Sequence, residues 1–200
     1  LKVLIENNSD ILICPNVILN HYRYNVKTIL CIHDIQHEYL KENFTKNQLS
    51  ERKITRGLSV VSCDNLIASS KYLKKQCHKY LKKNLNDIKV IEEGVNLDLF
   101  KYKHYKNKLI KKYSLPNKYL FYPAAFWPHK NHLFLLNAIK GFSKNKVNLV
   151  LCGLKKNFYE EVSNFILKNN LKNVKYLGDL SNSELIKVYK YSTVVIIPSL

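Results

Sequence analysis

Lys130 stands near the end of the segment Phe121-Tyr-Pro-Ala-Ala-Phe-Trp-Pro-His-Lys-Asn-His132. A short apolar run, Tyr119 to Ala124, breaks there at Pro123 and Pro128 into a turn, and an amphipathic helix is expected from Asn131. Strand, turn, cation and helix N-terminus together suit a phosphate, because free backbone N–H groups and the positive helix end face the turn. The lysine adds a full charge. A plain strand-to-helix connection with a solvated lysine has the same pattern.

A second group follows another apolar run. Ile32-His-Asp-Ile-Gln-His-Glu38 comes directly after the expected strand Thr28–Ile32. Ligands of parallel α/β sheets bind beyond the carboxyl ends of strands, which puts His33 and Asp34 where a cleft residue belongs. A His-Asp pair at a strand end also serves as a local cap. Gly153 follows the expected strand Asn148–Cys152, and Gly178-Asp-Leu-Ser181 follows Val174–Leu177, so both turns should open on one sheet edge. Glycine is a common turn residue for conformational reasons alone.

Composition narrows the classes. With 46% hydrophobic and 24% charged residues, the chain is that of an ordinary globular protein. No 18-residue apolar stretch is visible, so neither a spanning helix nor a secretory leader is expected. Five scattered cysteines without a C-x-x-C pair point to a reducing, cytoplasmic compartment. His33/His37 and His129/His132 have spacings compatible with metal, but no Cys or carboxylate matches them in the same element; no metal or other cofactor is expected. The net charge of +18 raises the question of nucleic acid. Of the 33 cations only Arg23, Arg52 and Arg56 are arginine, whereas readers of bases and phosphates favour the planar arginine fork. No nucleic-acid partner is expected, while a lysine-rich face suits peripheral contact with anionic lipid on the inner face of the plasma membrane.

Eight strands are expected, at Ile11–Cys14, Thr28–Ile32, Asn65–Ala68, Lys89–Ile91, Tyr119–Ala124, Asn148–Cys152, Val174–Leu177 and Val194–Pro198. Most lack a polar alternation, as strands covered on both faces do. Helical patterns fall between them at Gln48–Ser62, Ser70–Lys82, Asn131–Ser143, Phe158–Asn169 and Asn182–Tyr191, the last with a capping box of Ser181 and Glu184. This alternation gives an α/β fold with parallel, doubly wound sheets. The rhythm breaks in the lysine- and tyrosine-rich stretch Lys101–Pro116. Residues 1–100 and 117–200 are therefore read as parts of two Rossmann-like lobes with 101–116 as the crossing. The absence of methionine and the stop just after an apolar run lead us to expect cuts at both ends and two incomplete lobes.

The wording "YPAAFWPHKNH" resembles the start of the nucleotide-binding domain in retaining glycosyltransferases of family 4, in their mannosyltransferase-like branch. Ile32-His-Asp-Ile-Gln-His37 is similar to that family's "HDLQH", Asp64–Ser70 to "ADxIIAxS", Val90–Asn96 to "VIxxGVD", and Pro198-Ser-Leu200 to the opening of "PSxxEGFG". The resemblance implies a GT-B fold, with an acceptor-side lobe followed by a nucleotide-sugar lobe. It implies transfer of a hexose, mannose first among them, from a nucleotide sugar to a glycan or lipid-linked acceptor in surface polysaccharide synthesis. His33 and Lys130 then carry catalysis, His33 at the donor sugar and Lys130 on the diphosphate. Asp34, His129, Gly153, Gly178, Asp179, Leu180 and Ser199 line the donor site. Two departures matter. Ala125 stands where many relatives carry an arginine, and the family's acidic segment lies past Leu200, so this stretch alone is expected to be catalytically silent. A non-catalytic nucleotide-sugar-binding module and, further off, a nucleic-acid-binding protein remain as alternatives.

Overall fold

The computed structural model describes residues 9–15, 26–97, 111–142 and 147–199. The chain forms two compact units, Leu1–Val95 and Asn96–Leu200. Residues 101–110 of the expected crossing lie outside the described residues.

In the first unit four parallel strands lie in sequence order: β1 (Ile11–Cys14), β2 (Lys27–Ile32), β3 (Asn65–Ala68) and β4 (Ile88–Val90). Between β2 and β3 runs α1 (Lys46–Ser62), and between β3 and β4 runs α2 (Lys71–Leu81). Helix α1 begins two residues before the expected Gln48, because Thr45 and Gln48 form a capping box: the Gln48 N–H donates to Thr45 Oγ1 at 3.3 Å and the Thr45 N–H to Gln48 Oε1 at 2.9 Å. Ser70 caps α2 by accepting the Leu73 N–H at 3.1 Å. The start of β3 is pinned to β2 by Asp64, whose carboxylate accepts both the N–H (2.7 Å) and the hydroxyl (2.9 Å) of Thr28. The Thr28 N–H is the main reason that this carboxyl titrates below its usual range.

Most of the eight strands were expected to be covered on both faces; among the described residues, β2 and β3 instead alternate buried positions with less buried ones. Leu30, Ile32, Leu66, Ala68 and Ile88 share one core with Val60 of α1, Cys63 just after it, and Leu73 and Cys77 of α2. Both helices thus pack on the same face, and the other face is only half-buried.

In the second unit helices pack on both faces of the central strands, while both residues of the edge strand at Val194–Val195 are exposed. Its strands are β5 (Leu120–Pro123), β6 (Leu149–Cys152), β7 (Val174–Tyr176) and β8 (Val194–Val195), all parallel in the order β7-β6-β5-β8. Helix α3 (His132–Gly141) follows β5, α4 (Tyr159–Lys168) follows β6, and α5 (Asn182–Tyr191) follows β7. All four residues of β6 are buried. Leu149 and Leu151 join Leu135, Leu136 and Ile139 of α3 and Val162 of α4, while Val150 and Cys152 join Val188 of α5 on the opposite face. Each such side chain, fully buried, contributes roughly 1.5–3 kcal/mol. Because winding proceeds from β5 out to β7 and returns to β8 on the other side of β5, a topological switch point lies between β5 and β8.

Helix α5 carries the capping box expected at Ser181 and Glu184. Glu184 also accepts from the Lys112 ammonium and, at 2.8 Å, from the Tyr113 hydroxyl. The lysine contact, then Tyr113 and Ser181, hold this carboxyl down to about 2. A depressed carboxyl stabilises the fold above its unfolded pKa, about 4.3, and loses that contribution as pH falls through the folded value. Replacing Glu184 by Gln should therefore lower stability near neutrality by about 1 kcal/mol. It should also flatten the loss of stability below pH ~4, as followed by denaturant unfolding across acid pH. An unchanged acid profile would remove Glu184 from this role.

Candidate functional site

The chain leaves β5 at Pro123 and stays paired with the chain leaving β6. The Ala124 N–H donates to the Cys152 carbonyl at 2.9 Å and the Phe126 N–H to the Leu154 carbonyl at 3.0 Å. Gly153 lies under this crossing with φ +133°, and a Cβ there would stand 2.5 Å from the Ala124 oxygen. The close approach explains why glycine follows β6. Its N–H donates to the carbonyl of Gly178 at 3.0 Å, which ties the β6 and β7 turns together.

Pro128, His129 and Lys130 then form a single 3-10 turn, and Asn131 takes a left-handed conformation (φ 57°) that asparagine tolerates. Helix α3 therefore starts at His132, one residue later than expected, with no side chain capping its first turn. Lys130 is in the tight turn before it. Two contacts hold the turn: the Tyr122 hydroxyl donates to the Lys130 carbonyl at 2.6 Å, and the Asn131 amide donates to the Pro198 carbonyl at 3.1 Å. The second joins the chain after β5 to the chain after β8, across the switch point. Strand β8 stops at Val195 although its ladder was expected to reach Pro198; the Ile196 N–H makes one further bond, to Phe121, before Pro198 turns to Asn131.

His132 is buried, stacked on Phe126 (4.5 Å, 16°) and close to Tyr122 (4.9 Å). Burial pushes it down to about 4, so it is neutral near pH 7. Its position in the aromatic core separates it from any pairing with His129 for metal. No group of three or more His, Cys, Asp or Glu side chains converges among the described residues.

The remaining candidates of this unit fall along the same edge. His129 is half-buried in the turn, Gly178 turns with φ +80°, Asp179 and Ser199 are exposed, and Leu180 packs beneath with Leu177 and Leu185. Ser199 reaches the Tyr122 hydroxyl, a contact that opposes the upward push of burial on that phenol. Sequence reasoning missed two cations, Lys155 and Lys156, in the turn after β6. The Lys155 ammonium lies 4.3 Å from the Tyr159 ring and that of Lys156 5.5 Å from the Trp127 ring. Gly153-Leu-Lys-Lys156 directly after a buried strand was the available signal.

In the first unit His33 leaves β2 with both ring nitrogens engaged. Nδ1 is 2.8 Å from Glu93 Oε1 and Nε2 3.0 Å from the Pro15 carbonyl. The Asp34 carboxylate accepts the Gln36 N–H at 3.2 Å and Arg56 Nη1 at 3.0 Å, the local cap weighed above beside a cleft role. His37 is buried, and burial lowers its pKa. Glu93 is a functional candidate that the sequence did not single out.

The model of the family "Glycosyl transferases group 1" matches residues 101–200, half of the chain. The chain belongs to this family. The uncharacterized glycosyltransferase MJ1178 of Methanocaldococcus jannaschii is 29% identical over 154 residues, covering 77% of this chain and 38% of that protein. Among solved structures, a glycosyltransferase from Rickettsia africae superposes with a TM-score of 0.73 at 20% identity, over 99% of this chain and 53% of that one. Anabaena Alr3699/HepE, solved with UDP and glucose, superposes with a TM-score of 0.68 at 20% identity, over 87% and 46%. These likenesses establish the GT-B fold for this group 1 glycosyl transferase chain, which spans about half the length of those structures or less.

The two glycines separate packing from conformation. Gly153→Ala should cost about 3 kcal/mol, from backbone strain plus overpacking. Gly178→Ala, with nothing within 4 Å of the new Cβ, should cost about 1 kcal/mol. Chemical denaturation of both variants checks this; equal losses would mean that the Ala124 crossing yields to a methyl group.

Proposed function

We propose that the whole protein is a retaining hexosyltransferase of family 4 type. It moves a hexose, mannose being the first candidate, from a nucleoside-diphosphate sugar to a glycan or lipid-linked acceptor in surface polysaccharide synthesis. The observation that carries the reading is the built turn at the switch point, where Lys130 precedes a helix start left uncapped by side chains. Open α/β sheets take their ligands at such a point. The Anabaena protein solved with UDP and glucose shares the fold, which supports a nucleotide sugar as the donor class.

On this reading the bond between the anomeric carbon and the diphosphate oxygen breaks, and its electron pair goes to the leaving diphosphate. Lys130 and the first N–H groups of α3 meet that growing charge, with His129 beside them. Fixed donors of this kind act most strongly in the transition state. No metal takes part, since the cation and helix end neutralise the diphosphate themselves. The backbone of Gly178, Asp179 and Leu180 receives the base, and Gly153 and Ser199 border the donor. His33 meets the donor sugar, and Asp34 serves by holding its loop. The enzyme works in the cytoplasm, and its lysine-rich surface draws it to the anionic inner face of the plasma membrane, where a lipid-linked acceptor is presented. No described helix is long and apolar enough to cross a membrane.

Two measurements test the assignment. Lys130→Ala should weaken UDP or GDP binding at least tenfold, about 1.4 kcal/mol, by calorimetry; unchanged affinity would remove Lys130 from the phosphate site. His33→Ala should lower transfer by about tenfold or more while nucleotide affinity stays near that of the parent. Transfer at the parent rate would leave His33 a structural residue.

A further inference from the structure

The carboxyl edge of the first sheet holds a contact that the proposed function does not use. His33 follows β2, Pro15 follows β1 and Glu93 lies three residues past β4, so one imidazole is gripped by groups from two other chain segments. Both partners are pure acceptors, a peptide carbonyl and a carboxylate. A neutral imidazole has one N–H and would turn a lone pair toward one of them. Only the doubly protonated ring satisfies both contacts. The other charged group facing His33 is Asp34, whose carboxylate Arg56 occupies at 3.0 Å and Arg52 approaches at 3.9 Å. Among the described residues, the ion-pair partner of Glu93 is His33.

We propose that Glu93 is the positioning residue of His33, holding it as an imidazolium against the Pro15 carbonyl so that this unit presents a fixed cation, not a base. The proposal rests on the reading that His33 meets the donor sugar. It specifies that reading: a sugar oxygen there accepts from an N–H that it shares with Pro15 or Glu93, and His33 takes no proton from the acceptor. The Pro15 and Glu93 bonds raise the His33 pKa, which favours the same charged form. The side chains are 47% and 67% exposed, so solvent weakens the pair without abolishing it. The sign follows. The cation is complete below the ordinary histidine pKa and is lost as pH rises through the raised value.

The test follows His33 ring nitrogens by NMR across pH in the protein, its Glu93→Gln and Glu93→Asp variants, beside transfer rates over the same range. Glutamine keeps an acceptor oxygen and removes the charge. The His33 titration midpoint should move to lower pH in Glu93→Gln and return in Glu93→Asp. The alkaline limb of kcat/KM should move with it, while nucleotide affinity stays unchanged. A midpoint indifferent to Glu93→Gln overturns the proposal, as does a midpoint that moves without the rate profile. Failure of the underlying reading looks different: His33→Ala itself would then leave transfer intact.

Discussion

The peptide linking Ala124 to Ala125 passes so close to Gly153 that a Cβ would lie 2.5 Å from the Ala124 oxygen. That contact lets the chain after β5 continue its hydrogen bonds with the chain after β6 instead of diverging at once into a helix. The extra length carries the chain through Phe126 and Trp127 before the 3-10 turn begins at Pro128. Only then does Lys130 come under the Tyr122 hydroxyl and Asn131 reach Pro198. The cation is placed by backbone packing, by the hydrogen bond that its own carbonyl accepts from Tyr122 and by the bond that Asn131 donates to Pro198.

Below the turn the aromatic cluster of Phe126, His132, Tyr159 and Tyr176 fixes where α3 and α4 meet the sheet. His132 belongs to it as a neutral ring. Below pH ~6.5 the unfolded chain takes up a proton that the folded ring refuses until about pH 4, so this group weakens the fold across that interval. The first unit is built on a different plan, with both described helices on one face and an acidic residue clamped across β2 and β3. Its carboxyl edge carries charge in pairs, Asp34 with Arg56 and His33 with Glu93.

Strand positions were legible because β6 and its neighbours are nearly unbroken apolar runs, and the Ser181–Glu184 box was legible because its motif is local. The same local motif at Thr45 and Gln48 was overlooked, which put the start of α1 two residues late. Which face a helix covers was not legible, since apolar runs in β2 and β3 do not say that α1 and α2 share one side. The left-handed Asn131 was hidden because asparagine suits both a cap and a left-handed turn. The His33–Glu93 contact spans 60 residues, and nothing in spacing brings those positions together. Lys130, Gly153 and Gly178 were legible as residues after strands, while the Tyr122 and Pro198 contacts that shape their edge were not.

The central claim is that a nucleoside diphosphate binds at the switch point of the second unit. Backbone amide NMR during titration with UDP and GDP tests it most directly. The account predicts concentration-dependent shifts at Lys130, Asn131 and His132, at Gly153, and at Gly178 to Leu180. Shifts spread over surface lysines or gathered around Lys140 and Lys172 at the other end of α3, with those residues silent, would contradict it.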